Sequence, residues 1–130
     1  MSGSSPRWVV GLDLSLTSTG IGIVDLNSGT AYTRAVRSSG KKTDTLAMQV
    51  DRIQDLTDNI VDSVAVCEPE LVVVESAAFS TRKDSSAHRR AGLWWSVVGQ
   101  LHTQGFTVAT LSPSELKTVS YTHLTLPTKA

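Results

Sequence analysis

The segment from Glu70 to Glu75 (ELVVVE) sets four consecutive apolar residues, three of them β-branched, between two acids. A strand with one face in water alternates apolar and polar residues. This run does not alternate, so it reads as a strand buried on both faces, as in the interior of a parallel sheet. A parallel neighbour requires a crossover of a dozen or more residues, usually a helix. The preceding residues provide one. Leu46, Val50, Ile53, Leu56, Ile60 and Val64 recur at spacings of three and four, which predicts a helix within residues 41–66, with Thr43 as N-cap and Pro69 helping to end it.

The rest of the chain falls into place around that βα pair. Arg7 to Asp13 (RWVVGLD) is a short apolar run ending in an acid. Gly20 to Asp25 (GIGIVD) alternates glycine with β-branched residues, Asn27-Ser28-Gly29 is a turn signal, and Thr30 to Arg37 (TAYTRAVR) mixes β-formers with polar residues. These three segments predict an antiparallel meander. Downstream, Asp84 to Gln104 has helical period with Ala87, Ala91, Trp94, Val98 and Leu101 on one stripe. Gly105 ends it, and Phe106 to Leu111 is a fifth strand. Ser112, Pro113 and Glu115 have the pattern of a capped helix start. The predicted order is β-β-β-α-β-α-β, a mixed α/β sheet with helices on its faces, which is the order of the RNase H-like fold.

A chain of 130 residues suits one core of this kind. Residues 1–6 are expected to be a frayed tail and residues 7–118 the domain. No apolar run is long enough to span a membrane, and the start of the chain lacks the apolar stretch of a secretory signal. With a single cysteine, Cys67, the chain has no internal disulfide, which fits a cytoplasmic location. Twelve bases balance twelve acids, so net charge names no polyanionic partner. The distribution is uneven. Seven acids and one base lie between Asp44 and Glu70, whereas bases gather at Arg34, Arg37, Lys41 and Lys42, and again at Arg82, Lys83, Arg89 and Arg90. The second basic group could reach DNA phosphates or form a solvated helix flank.

Two acids stand where chemistry could use them. Asp13 closes the first strand and precedes Ser15, Thr17, Ser18 and Thr19. It could hold a hard divalent cation at the sheet edge, or cap the turn through an Asx-type hydrogen bond. Glu75 ends an apolar strand, where an unpaired buried charge is unfavourable, so it requires a metal, an arginine or solvent. In the deduced topology the first and fourth strands are neighbours and the two acids face each other. Adjacent carboxylates repel unless a cation lies between them, and such pairs commonly bind Mg²⁺ or Mn²⁺. Trp94 reads as core, Trp95 as a residue off the buried stripe suited to an interface, and His102 as a partner for the C-terminal end of its helix dipole.

GLDLSLTSTGIGIV, with Asp13, resembles the opening motif of the RuvC-type Holliday junction resolvases, and LVVVESAAF, with Glu75, is similar to their second motif. LSPSELKTV is similar to the stretch around a functional lysine of that family. The resemblance covers residues 8 to about 118. It implies a structure-selective endodeoxyribonuclease of DNA recombination and repair, a homodimer acting on branched DNA with Mg²⁺ or Mn²⁺. Asp13 and Glu75 would then be metal ligands and catalytic, Lys117 a transition-state-stabilising cation, and Phe79, one place later than in the family pattern, a stacking residue at the junction. Arg82, Lys83, Arg89 and Arg90 would contact DNA. The opening motif also suits actin-like ATPases and sugar kinases, and pre-rRNA-processing nucleases of the same fold. A non-catalytic junction-binding module is a further alternative.

The family's remaining acids lie on a C-terminal helix beyond the fifth strand. Residues 119–128 (VSYTHLTLPT) instead coincide with one reading frame of a transposon-end sequencing adapter, so residues 119–130 are expected to be a non-native tail on a truncated, inactive domain. Grafting the C-terminal segment of a close relative after Lys117 is expected to restore divalent-dependent junction cleavage, and Asp13→Asn in that graft to abolish cleavage while sparing binding. Cleavage of four-way junctions by the ungrafted chain would contradict this reading of the tail.

Overall fold

The computed structural model describes residues 5–76 and 86–112. Its elements follow the predicted order: β1 (Trp8–Asp13), β2 (Ser18–Asp25), β3 (Ala31–Arg37), α1 (Leu46–Cys67), β4 (Leu71–Glu75), α2 (Ala87–Thr103) and β5 (Val108–Leu111). The five strands form one sheet in the order β3-β2-β1-β4-β5. β1, β2 and β3 are antiparallel neighbours, whereas β4 runs parallel to β1 and β5 parallel to β4. Both parallel crossovers step the same way along the sheet. Because such connections are right-handed, α1 and α2 lie on the same face. The architecture is the RNase H-like mixed α/β sheet.

The core lies between that face and the two helices. Alternate residues of the central strands, Val10 and Leu12 on β1, Ile21 and Ile23 on β2, Val72 and Val74 on β4, meet Leu56, Ile60, Val61 and Val64 of α1 and Leu93, Val97 and Leu101 of α2. Val10, Val72, Val74, Ile60 and Val97 are completely buried. A strand's side chains alternate between faces, so Val9, Gly11 and Asp13, with Leu71, Val73 and Glu75, belong to the face without α1 and α2. The central strands are thus apolar on both sides, as their composition requires.

Local chemistry sets the element ends. Thr45, rather than the predicted Thr43, caps α1 and accepts a hydrogen bond from the Met48 amide at 3.2 Å. The helix therefore starts later than expected, and Leu46 and Val50 of its first turns stay exposed instead of joining the buried stripe. α1 ends as Glu68 turns into the left-handed region (φ 47°) just before Pro69. α2 ends in paired hydrogen bonds from the Gly105 amide to the His102 carbonyl and from the Phe106 amide to the Leu101 carbonyl, both 3.0 Å, with Gly105 at φ 90° as this reversal requires. Between β2 and β3 the buried Asp25 carboxylate accepts from the amides of Arg7 and Asn27 at 3.0 Å each, and from the Ser28 hydroxyl at 2.9 Å. These bonds, led by that from Arg7, hold the Asp25 carboxyl below the usual carboxylate range. The two helices also share a polar contact, since the Thr57 and Ser96 hydroxyls lie 2.8 Å apart.

The buried arc of α2 is rotated from the predicted stripe. Leu93, Val97 and Leu101 are buried, Trp94 and Val98 are half-buried at its margin, and Trp95 is 65% exposed. Among the described residues no helix is long and apolar enough to cross a membrane. Ile60→Ala is expected to destabilise the domain by about 2–5 kcal/mol by opening a cavity between α1 and the sheet. Val66→Ala, at a position 81% exposed, should change stability by no more than about 0.5 kcal/mol. Equal losses in chemical denaturation would place the core elsewhere.

Candidate active site

Asp13 and Glu75 close two adjacent parallel strands. Leu12 is in register with Val74, so the next residues on each strand are Asp13 and Glu75, both on the face away from the helices. Asp13 is exposed and Glu75 half-buried. The register thus sets the two acids side by side at the ends of neighbouring strands. Partial burial, followed by the neighbouring Asp13 charge, pushes the Glu75 carboxyl above the usual glutamate range. On the other side of Asp13 stands Gly20, its register partner on β2. A β-carbon at Gly20 would lie 3.8 Å from that of Asp13, so glycine leaves the flank of the aspartate open.

The turn after Asp13 is held by its hydroxyls. The completely buried Thr19 donates to the Ser15 carbonyl at 2.9 Å and accepts from the Ser15 amide at 3.1 Å. The Ser15 hydroxyl accepts from the Thr17 amide at 3.2 Å and lies 3.2 Å from the Thr17 hydroxyl. Among the described residues it is therefore Ser15 and Thr19 that close the turn, not an Asx-type bond from Asp13. Leu16 anchors the turn in the core, and its carbonyl accepts from Arg52 Nη2 at 2.6 Å. Arg52 Nε donates to the Ser38 hydroxyl at 2.9 Å, so one α1 side chain ties the turn after β1 to the segment after β3.

Glu75 is supported differently. The Trp94 indole N–H donates to the Glu75 carbonyl at 3.0 Å, and the Ser76 amide donates to the Leu111 carbonyl at 2.7 Å. Trp94 also meets Trp95 edge-on, with ring centroids 4.8 Å apart. Sequence reasoning assigned Trp94 to the core and missed its bond to the strand end that carries Glu75. Apolar periodicity contains no signal for that bond.

The donor set suits a hard divalent cation. Both groups are carboxylates, they stand side by side at neighbouring strand ends, and burial together with the Asp13 charge disfavours an ionised Glu75 without a counter-ion. Among the described residues no cluster of three or more acid, histidine or cysteine side chains forms. Of the other candidates, Arg89 lies half-buried and Arg90 exposed in the first turns of α2. Phe79, Arg82, Lys83 and Lys117 lie outside the described residues.

The chain matches no protein-family model and no curated protein sequence. Solved structures do resemble it. Thermus thermophilus RuvC in complex with Holliday junction substrate aligns with a TM-score of 0.70 at 18% identity, covering 86% of this chain and 68% of that one. A second Thermus thermophilus RuvC structure aligns with a TM-score of 0.68 at 20% identity, covering 94% of this chain and 74% of the other. At these identities the likeness establishes a shared fold.

The electrostatic strain on Glu75 has a pH signature. Its carboxyl is raised in the folded state, so between the ordinary value of 4.5 and the raised value the folded form binds more protons than the unfolded one. Stability should therefore fall as pH rises through that window and stay lower above it. In metal-free buffer, Glu75→Gln is expected to melt above the wild type at pH 7, with the gap closing below pH 4.5. A gap independent of pH in thermal melts would show that burial and the Asp13 charge do not raise the Glu75 carboxyl.

Proposed function

We propose that this chain belongs to a divalent-metal-dependent endonuclease that hydrolyses DNA phosphodiesters at four-way junctions. The observation that carries this reading is the pairing of Asp13 and Glu75 at the ends of neighbouring parallel strands, on the sheet face away from α1 and α2. The shared fold with a RuvC that is known in complex with a Holliday junction substrate supports the choice of nucleic acid.

Asp13 and Glu75 would hold Mg²⁺ or Mn²⁺, whose chemistry at such a site is activation of a water and stabilisation of the leaving 3′-oxygen. The chain's own contribution is to keep the two carboxylates in place. The Ser15–Thr19 bonds stiffen the turn behind Asp13, and the Trp94 indole fixes the carbonyl of Glu75. In this reading Lys117 would stabilise charge at the reacting phosphate, Phe79 would stack at the junction, and Arg82, Lys83, Arg89 and Arg90 would contact backbone phosphates. Residues 7–118 would form the nuclease domain, working as a homodimer so that two symmetric sites meet opposite strands.

Two measurements test the reading together. Mn²⁺ titration followed by electron paramagnetic resonance is expected to show saturable binding that Asp13→Asn or Glu75→Gln weakens at least about tenfold, in line with loss of a ligand. Gel-shift titration without divalent ions is expected to favour a four-way junction over linear duplex of the same sequence. Mn²⁺ binding untouched by both substitutions would remove the metal site, and equal affinity for the two DNA forms would remove the junction as substrate.

A further inference from the structure

On the helix side of the same strand ends lies a cleft of about 430 Å³. Three separate segments wall it: the turn after β1, with Ser15, Leu16 and Thr17; residues 38–42 ahead of α1, with Arg52 behind them; and the start of α2, from Ser86 to Arg90. Five bases line it, Lys41, Lys42, Arg52, Arg89 and Arg90, and no acid does. A neighbouring concavity shares Ser38, Ser39 and Arg52 with it but is mixed in charge, with Asp44, Asp51 and Asp55 beside Arg37 and Arg52 in its wall. Asp44 stands close by: its carboxylate accepts from the Lys41 backbone amide at 2.9 Å and lies beside Gly40, as Arg52 does.

Several features suit this cleft to a phosphate. The Arg89 Nε is fully enclosed and has no hydrogen-bond partner among the described residues. Buried donors are almost always satisfied, and Arg89 is one of the residues that line the cleft, so an acceptor brought by a ligand would complete its guanidinium. Arg52 is pre-positioned: two of its nitrogens are engaged by Leu16 and Ser38, while its Nη1 lies beside Gly40, where a β-carbon would collide with it. Ser86, at the N-terminal end of α2, also lines the cleft, so the positive end of that helix borders the same space. Hydroxyls of Ser15, Thr17, Ser38 and Ser39 line the remainder and can donate to phosphate oxygens.

We infer that this cleft binds a backbone phosphate of the DNA strand that reaches the Asp13–Glu75 pair, with Lys41, Lys42 and Arg89 as phosphate contacts and Arg52, set by Gly40, as a positioning residue. The inference rests on the nuclease reading, which supplies the DNA, but it assigns residues that the paired carboxylates do not. The ligand group is a phosphodiester within a strand rather than a free phosphate ion.

The test is junction binding by fluorescence anisotropy without divalent ions, over a series of salt concentrations, with circular dichroism to confirm that each variant folds. Arg89→Ala and the double change Lys41→Ala/Lys42→Ala are each expected to weaken binding several-fold, and to reduce the slope of log affinity on log salt by about 0.9 per lost contact. Gly40→Ala should also weaken binding, although it alters no charge, because it displaces Arg52. Arg34→Ala removes a base from exposed β3 and should change affinity less than about twofold. If the wild type binds junctions and the cleft variants bind equally well with an unchanged slope, the cleft assignment is overturned and the nuclease reading stands. Equal weakening by Arg34→Ala and the cleft variants would replace the cleft with diffuse attraction. Amide shifts around Ser15 and Ser38 caused by inorganic phosphate, and not reversed by competing DNA, would assign the cleft to a free anion. A wild type that binds no DNA at low salt would overturn both proposals.

Discussion

The register between β1 and β4 is the constraint on which the rest of the molecule depends. With Leu12 opposite Val74, both strands turn alternate valines and leucines toward the helices, and both end at the same level in a carboxylate. A shift of one residue would exchange the faces of an entire strand, sending Val72 and Val74 out of the core. Register is therefore enforced by hydrophobic burial, which is strong and distributed. The electrostatic strain between Asp13 and Glu75 is comparatively small and local. The core can hold together two groups that, left to themselves, would move apart.

Around this fixed pair the supporting contacts are unequal in kind. The Asp13 side is stiffened by short-range bonds within its own turn, reinforced by Arg52 from α1. The Glu75 side depends on a distant residue, Trp94, through its backbone carbonyl. The turn after Asp13 needs little outside help to keep its shape. The end of β4 relies on α2 remaining docked, and α2 is docked by Leu93, Val97 and Leu101. Substitutions in the α2–sheet interface would thus be felt at Glu75 before they were felt at Asp13.

Much of this was legible before any coordinates. The unbroken apolar run of β4 and the three-and-four spacing of α1 are signals of burial, and burial dominates folding, so element order and sheet type followed from them. Asp13 and Glu75 were legible for a related reason: a charge that ends a buried strand stands out against what precedes it. What failed was finer. The start of α1 depends on which of two nearby threonines, Thr43 or Thr45, turns its hydroxyl to the helix, and hydrophobic period says nothing of that. The buried arc of α2 was misplaced because Leu93, Trp94, Val97 and Val98 form an apolar band wider than one stripe, and only packing decides which edge faces the sheet. The basic cleft was not legible as a unit. Lys41, Arg52 and Arg89 belong to segments far apart in the chain, and Arg89 had been noticed only as part of a charged run.

The placement of α1 and α2 on a single face has a geometric consequence. Among the described residues, the carboxylate pair lies on the face without α1 and α2, whereas the basic cleft opens on the helical side, and the rim formed by the strand ends separates them. A polymer that touches both cannot lie flat along either surface. It must bend over the rim, as a rope over the edge of a board. A stiff, straight duplex is poorly shaped for that path, while a strand leaving a branch point, already turning and free of its complement's rigidity, can follow it. Under the proposed function, preference for branched over linear DNA would then arise from the shape of the scaffold itself, without any side chain that reads a base.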